Sequence, residues 1–269
     1  MKYTIPFFLL IFIFACSTQK TADDATTESE EIEGQEFIPA DNPPAEGFNG
    51  PGSSPIAVII ADKVMRAMGG RQAWDETQYI TWNFFGSRKW LWDKMSGNVR
   101  VESLRDDRIV LMNINEMTGK VFKDGAELTE PDSVSKYLEW GKRVWINDSY
   151  WLVMPFKLKD SGVTLTYVGE SQTLTGELAE KLRLTFEGVG VTPQNAYDVW
   201  VSSETSLIKQ WAYYPEAADE VPRWIYPWDN YFETGGIMLS DGRGDNSLTD
   251  VAVLASVPDG VFSSFDASL

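Results

Sequence analysis

The 269-residue chain contains no histidine and a single cysteine, Cys16. Without histidine there is no Ser-His-Asp or Cys-His triad, no proton shuttle titrating near neutrality, and none of the commonest transition-metal ligand. With its one cysteine at position 16, the body of the chain has no disulfide, no thiolate metal site and no thiol nucleophile. No cofactor and no metal site are therefore expected. Only a hard cation on carboxylate and carbonyl oxygens would suit the residues present. Bases are also scarce, with 23 Lys and Arg against 40 Asp and Glu, and the formal net charge is −17. Such a surface is a poor partner for nucleic acid, where binding rests on neutralising phosphates. It is equally poor for direct docking onto anionic headgroups. Past residue 15 no apolar run is long enough to cross a bilayer as a helix.

What is present begins with Lys2 and an almost unbroken apolar run over residues 5–14. That length fits the core of a signal peptide, here 1–15, and is too short for a membrane span. The sequence Ile13-Phe14-Ala15-Cys16-Ser17 that follows resembles a bacterial lipobox. The resemblance implies cleavage before Cys16, acylation of Cys16, and an outer-membrane lipoprotein facing the periplasm or the cell surface. Residues 16–53 then read as the lipidated Cys and a disordered acidic tether, because they have too few aliphatic side chains to offset the entropy of ordering.

The folded domain is expected over 54–269. Ser54-Pro55 opens a helix with a cap residue and a proline at its first position. Ile56, Ile59, Ile60, Val64, Ala67 and Met68 recur at helical spacing, and Gly69-Gly70 ends the run. Residues 79–102 carry three aromatic and β-branched runs, broken at Gly86 and at Gly97-Asn98, the residue types that tolerate positive φ in hairpin turns. Further strands are expected at 108–115, 120–123, 163–167, 182–186, 197–201, 207–213 and 249–254. A helix intervenes, with Thr129 and Asp132 forming a capping box, Val134, Tyr137, Leu138 and Trp145 on one face, and Pro155 as its stop. The expected class is α+β, mainly antiparallel β. About nine to eleven strands form an incomplete, half-open barrel with helices covering its concave face.

This pattern resembles the LolA/LolB-like carriers of Gram-negative envelopes and their lipoprotein relatives. The resemblance rests on the N-terminal helix, the hairpin Trp90-Leu91-Trp92-Asp93 to Val99-Arg100-Val101-Glu102, the turn Lys123-Asp124-Gly125, the middle helix and the closing Pro258-Asp259-Gly260-Val261-Phe262. It implies a half-barrel whose interior holds acyl chains or other apolar molecules. The carrier's Arg-Pro pair, whose Arg helps to hold its lid, is replaced here by Asp93-Lys94-Met95-Ser96. An anchored binding module, a monomer, fits this better than a soluble carrier.

Eleven Trp stand out. An aromatic-lined cavity for a hydrophobic small molecule or lipid would draw on Trp82, Trp90, Trp92, Tyr137, Leu138, Trp145, Trp224 and Trp228. The bland reading is that a wide curved sheet needs large side chains as filling. Two other functions are open. The stretch 213–232, in which aromatics alternate with carboxylates and prolines, could form a surface platform for glycans. An acid pair such as Asp93 and Glu102 could support carboxylate-dependent hydrolysis. No catalytic residue is expected. The Arg-Gly-Asp within Asp241–Asn246 reads as an ordinary hairpin turn, since it lacks the ligand order of a calcium loop.

Overall fold

Trp82 on the first strand faces Trp90 on the second, and this pair sets the register of the first sheet. The computed structural model describes residues 41–268, so the expected signal peptide, Cys16 and most of the expected tether lie outside the described residues. The three runs of the 79–102 stretch form β1 (Tyr79–Phe84), β2 (Arg88–Asp93) and β3 (Asn98–Ser103). β4 (Arg108–Asn113), β5 (Thr118–Lys123) and β6 (Ala126–Glu127) continue the meander. After a long helix come β7 (Val163–Gln172), β8 (Leu178–Phe186), β9 (Ala196–Ser202), β10 (Ile208–Tyr214) and β11 (Trp224–Pro227), forming a second sheet. A third sheet holds β12 (Asp229–Thr234), β13 (Ile237–Arg243) and β14 (Asn246–Ser247). The last strand, β15 (Thr249–Leu254), returns to pair with the free edge of β1. All these pairings are antiparallel, and none of the three sheets closes on itself. The fold is therefore an open, mainly antiparallel α+β structure. The described residues contain fifteen strands rather than nine to eleven. The excess comes partly from the two-residue β6 and β14, which are too short to show alternation, and partly from β11, β12 and β13, for which no strand was expected between 213 and 249.

Antiparallel register places the rows Trp82–Trp90–Val101–Val110–Val121 and Ile80–Trp92–Val99–Met112 on one face of the first sheet, and all nine side chains are buried in one core. This face is covered by α3 (Pro131–Val153). The helix can approach β4 because Gly141 faces it: a Cβ at that position would sit 2.8 Å from the Met112 sulfur. Its N-cap is Glu130, whose carboxylate accepts the backbone N–H groups of Asp132 and Ser133, so the cap lies one residue later than the expected Thr129–Asp132 box. The Glu130 pKa is lowered by these bonds, that to Ser133 first.

The leading helix α1 (Pro55–Ala67) is followed by the short α2 (Arg71–Glu76). α1 buries Ala57, Ile60, Ala61, Val64 and Met65, while Ile56 and Ile59 are 54% and 55% exposed, so the buried stripe is rotated from the expected one. The segment upstream departs from expectation as well. Residues 42–53, expected to be tether, pack onto the domain. Asn49 N–H donates to the Val163 carbonyl, Ser54 N–H to the Leu165 carbonyl, and the hydroxyls of Ser53 and Ser54 accept the N–H groups of Leu165 and Tyr167. This segment covers the exposed edge of β7, which would otherwise be an open template for pairing. Ser54 therefore spends its hydroxyl on the sheet rather than on capping α1. Composition could not show this, because the segment is held mainly by backbone bonds and by Lys159, which binds the Asn42 carbonyl and Asp62, with Phe48 its one large apolar contact to the core.

Candidate functional site

The site lies where α3 runs past the first sheet toward the second. Its anchor is Asp148, wholly buried, whose two oxygens accept from Arg88 at 2.5 and 2.9 Å. It also accepts from the indole N–H of Trp90 and the amide of Asn147, each at 2.9 Å. Burial pushes the Asp148 pKa above its ordinary value, and the bonds from Arg88, Asn147 and Trp90 oppose that shift. Just beyond it on α3, Tyr150 and Trp151 border a first groove, and Trp151 also borders a second.

The first groove has a volume of about 330 Å³ and lies between α3, the start of β7 and the 187–195 connection. Tyr150, Phe186 and Tyr197 form an aromatic cluster there, with Tyr150 5.4 Å from Tyr197 and Phe186 5.7 Å from Tyr197. Val189 and Val191 line it as well, and Val191 is 53% exposed. Its charged lining residues are Lys142, Lys157 and Asp160. Lys157 pairs with Asp160, and Lys142 donates to the Ile114 carbonyl at 2.8 Å. The Tyr150 hydroxyl is buried in this wall and has no hydrogen-bond partner. Burial raises its pKa well above the usual tyrosine value, so it is a neutral donor. Tyr197 is likewise pushed up, to about 12, chiefly by burial.

The second groove, about 360 Å³, shares Asn147 and Trp151 with the first and is otherwise bordered by Phe84, Phe85, Trp224, Tyr226, Arg243 and Asn246. Trp151 is central to it, 5.2 Å from Trp224, 4.5 Å from Trp211 and 5.3 Å from Phe85.

Of the eight residues expected to line a cavity, Trp224 alone borders either groove. Trp82 and Trp90 are 0% exposed and stack at 5.5 Å, and Trp92 packs edge-on against Trp145 at 5.3 Å. Leu138 is buried with them, and Tyr137 is half-buried beneath the Arg108 guanidinium. Here the bland reading describes the structure: these rings fill the space between sheet and helix. Trp228 is also 0% exposed. The 213–232 stretch is no loose platform, since β10 and β11 pair within it and Tyr213 lies opposite Trp224. Trp224 stacks on Tyr213 at 4.7 Å as well as on Trp151, occupying ring surface that a sugar would need. Asp93 and Glu102 do not face each other. Asp93 caps a turn by accepting from Met95 and Ser96, while Glu102 lies opposite Lys89 and pairs with Arg100 at 2.6 Å. Arg243 of the Arg-Gly-Asp run points into the domain.

Sequence reasoning missed Tyr150, Phe186, Tyr197 and Arg243. A signal for the first was available, because Lys142, Ile146 and Tyr150 recur at four-residue spacing along the helix. For the others none was, since nothing local tells a strand-end aromatic in the core from one beside an opening.

No family model matches the chain, and no curated protein matches it. Among solved structures it is similar to a DUF1329 family protein from Desulfovibrio piger, with 13% identity over 77% of this chain and 96% of that one, at a TM-score of 0.41. It is also similar to a LolA superfamily protein from Nitrosomonas europaea, with 12% identity over 77% of this chain and 97% of that one, at a TM-score of 0.36.

Proposed function

We propose that this protein is an outer-membrane lipoprotein, anchored through Cys16, that holds an apolar or lipidic molecule beside the C-terminal half of α3 and catalyses no reaction. The observation that carries this is the first groove: about 330 Å³, walled by Tyr150, Trp151, Phe186, Tyr197 and the valines Val163, Val189 and Val191, with Lys142, Lys157 and Asp160 as its charged lining residues. Pockets of that size and composition hold small ligands by buried apolar contact, with a few polar groups setting orientation.

The test is protein purified without detergent. An organic extract analysed by mass spectrometry should contain lipid, and an apolar fluorescent probe should bind the delipidated protein. Tyr150→Ala or Trp151→Ala should weaken the probe by ~1–3 kcal/mol through lost contact area. An empty extract together with a probe that does not bind overturns the reading. Cys16→Ser should move the protein from the membrane fraction to the soluble one, and retention after a carbonate wash overturns the anchor.

A further inference from the structure

Buried basic side chains in this fold have carboxylate partners, with one exception. Arg100 pairs with Glu102, and Lys159 pairs with Asp62. Arg243 is 0% exposed, yet among the described residues no carboxylate oxygen pairs with it. Its terminal nitrogens donate only to neutral acceptors: the Ser240 hydroxyl at 2.9 Å and carbonyl at 3.2 Å, the Gly242 carbonyl at 2.5 Å and the Trp151 carbonyl at 2.6 Å. Its Nε–H has no partner. The guanidinium carbon lies 3.5 Å from the Trp228 ring centroid, and the side chain forms part of the lining of the second groove. An uncompensated buried charge is costly, and proteins ordinarily pair it. Burial drags its pKa down, to about 9, with Tyr231, Asp229 and Asp241 acting only through space to oppose that.

We propose that the second groove takes the anionic head of a single-chain amphiphile, a carboxylate or a phosphate, with its apolar chain against Trp151, Trp224 and Tyr226. This rests on the apolar-ligand reading and deepens it, because Trp151 and Asn147 border both grooves and one ligand can cross between them. The guanidinium is covered, so the head is held by its field and by the exposed amides of Asn246 and Asn147 rather than by a bidentate clamp. That field is weakly screened, since the charge lies in low dielectric beneath the groove floor. The aromatics above exclude water from the chain and lower the dielectric around the head.

The experiment titrates delipidated full-length protein with dodecanoate, dodecyl phosphate and 1-dodecanol, followed by Trp fluorescence. At least one anion should bind tenfold or more tightly than the alcohol, and the tighter of the two identifies the head. Arg243→Met should reduce that preference to less than twofold, while Arg243→Lys, which keeps the charge, should retain most of it. Because Arg243→Met can unfold the protein, the exposed Asn246→Asp is the second variant. It should weaken the anion threefold or more and leave the alcohol unchanged. Equal binding of anion and alcohol to wild type, or an anion preference untouched by Asn246→Asp, overturns the anionic head while leaving the apolar groove intact. No binding of any of the three overturns both.

Discussion

The two halves of α3 meet their sheets differently, although both contacts are built from aromatic residues. Along the helix as far as Trp145, Gly141 brings it close to β4, and Trp82, Trp90, Trp92 and Trp145 interdigitate without leaving an opening. Over the C-terminal half, Tyr150 and Trp151 contact the second sheet through strand-end rings such as Phe186, Tyr197 and Trp224, and two grooves are left. Aromatic richness therefore does not distinguish a core from a site. What distinguishes them is whether the backbones can approach closely enough for the rings to fill the gap. One sheet under one helix allows that approach. A crevice where helix, second sheet and third sheet converge does not.

The most forceful way to break the comparison is to truncate a ring on each side. Trp90→Ala should destabilise the domain by ~3–5 kcal/mol, since it empties a closed core and removes a donor from the buried Asp148. Its effect on the apolar probe should be slight in whatever fraction remains folded. Trp224→Ala, half-buried beside a groove, should cost only about 1–2 kcal/mol in urea unfolding and weaken the probe instead. If the two variants lose equal stability, the halves are packed alike and the contrast fails.

A smaller effect separates two wholly buried acids. Asp148 has one cationic partner, and burial raises its pKa above the ordinary 3.8. Asp198 on β9 is opposed by burial too. There the hydrogen bonds of Arg183, Lys181 and Tyr214 prevail and hold its pKa below 3.8. A lowered native pKa means that Asp198 contributes stability above 3.8 and loses it as the pH falls through the native value. A raised one means that the Asp148 contribution is present below 3.8 and lost as the pH rises through the native value. Unfolding midpoints across the acid range should show Asp198→Asn flattening the loss of stability below that point, and Asp148→Asn flattening the opposite slope above it. Parallel curves for both variants would mean that the two acids are held alike.

The smallest expected change is at the exposed hairpin tip. Leu174 is 66% exposed between β7 and β8, and Leu174→Ser should move stability by less than about 0.5 kcal/mol. A larger loss would show that something covers that hairpin.

By itself the sequence determined what depends on neighbours along the chain. Periodicity located α1 and α3, and Gly86 and Gly97 marked the hairpins that organise β1 to β3, where both glycines have positive φ. The missing histidine excluded whole classes of chemistry. Tertiary structure alone decided which of the many aromatic rings face a gap. Trp82 and Trp224 both sit on strands, yet one is closed over by α3 and the other borders an opening. It also decided that residues 42–53 join the domain, because their bonds go to the β7 edge and to Lys159 more than 100 residues away. Likewise only the fold leaves Arg243 without a directly paired carboxylate among the described residues, since an ion pair depends on distances between chain-remote atoms that no local pattern encodes.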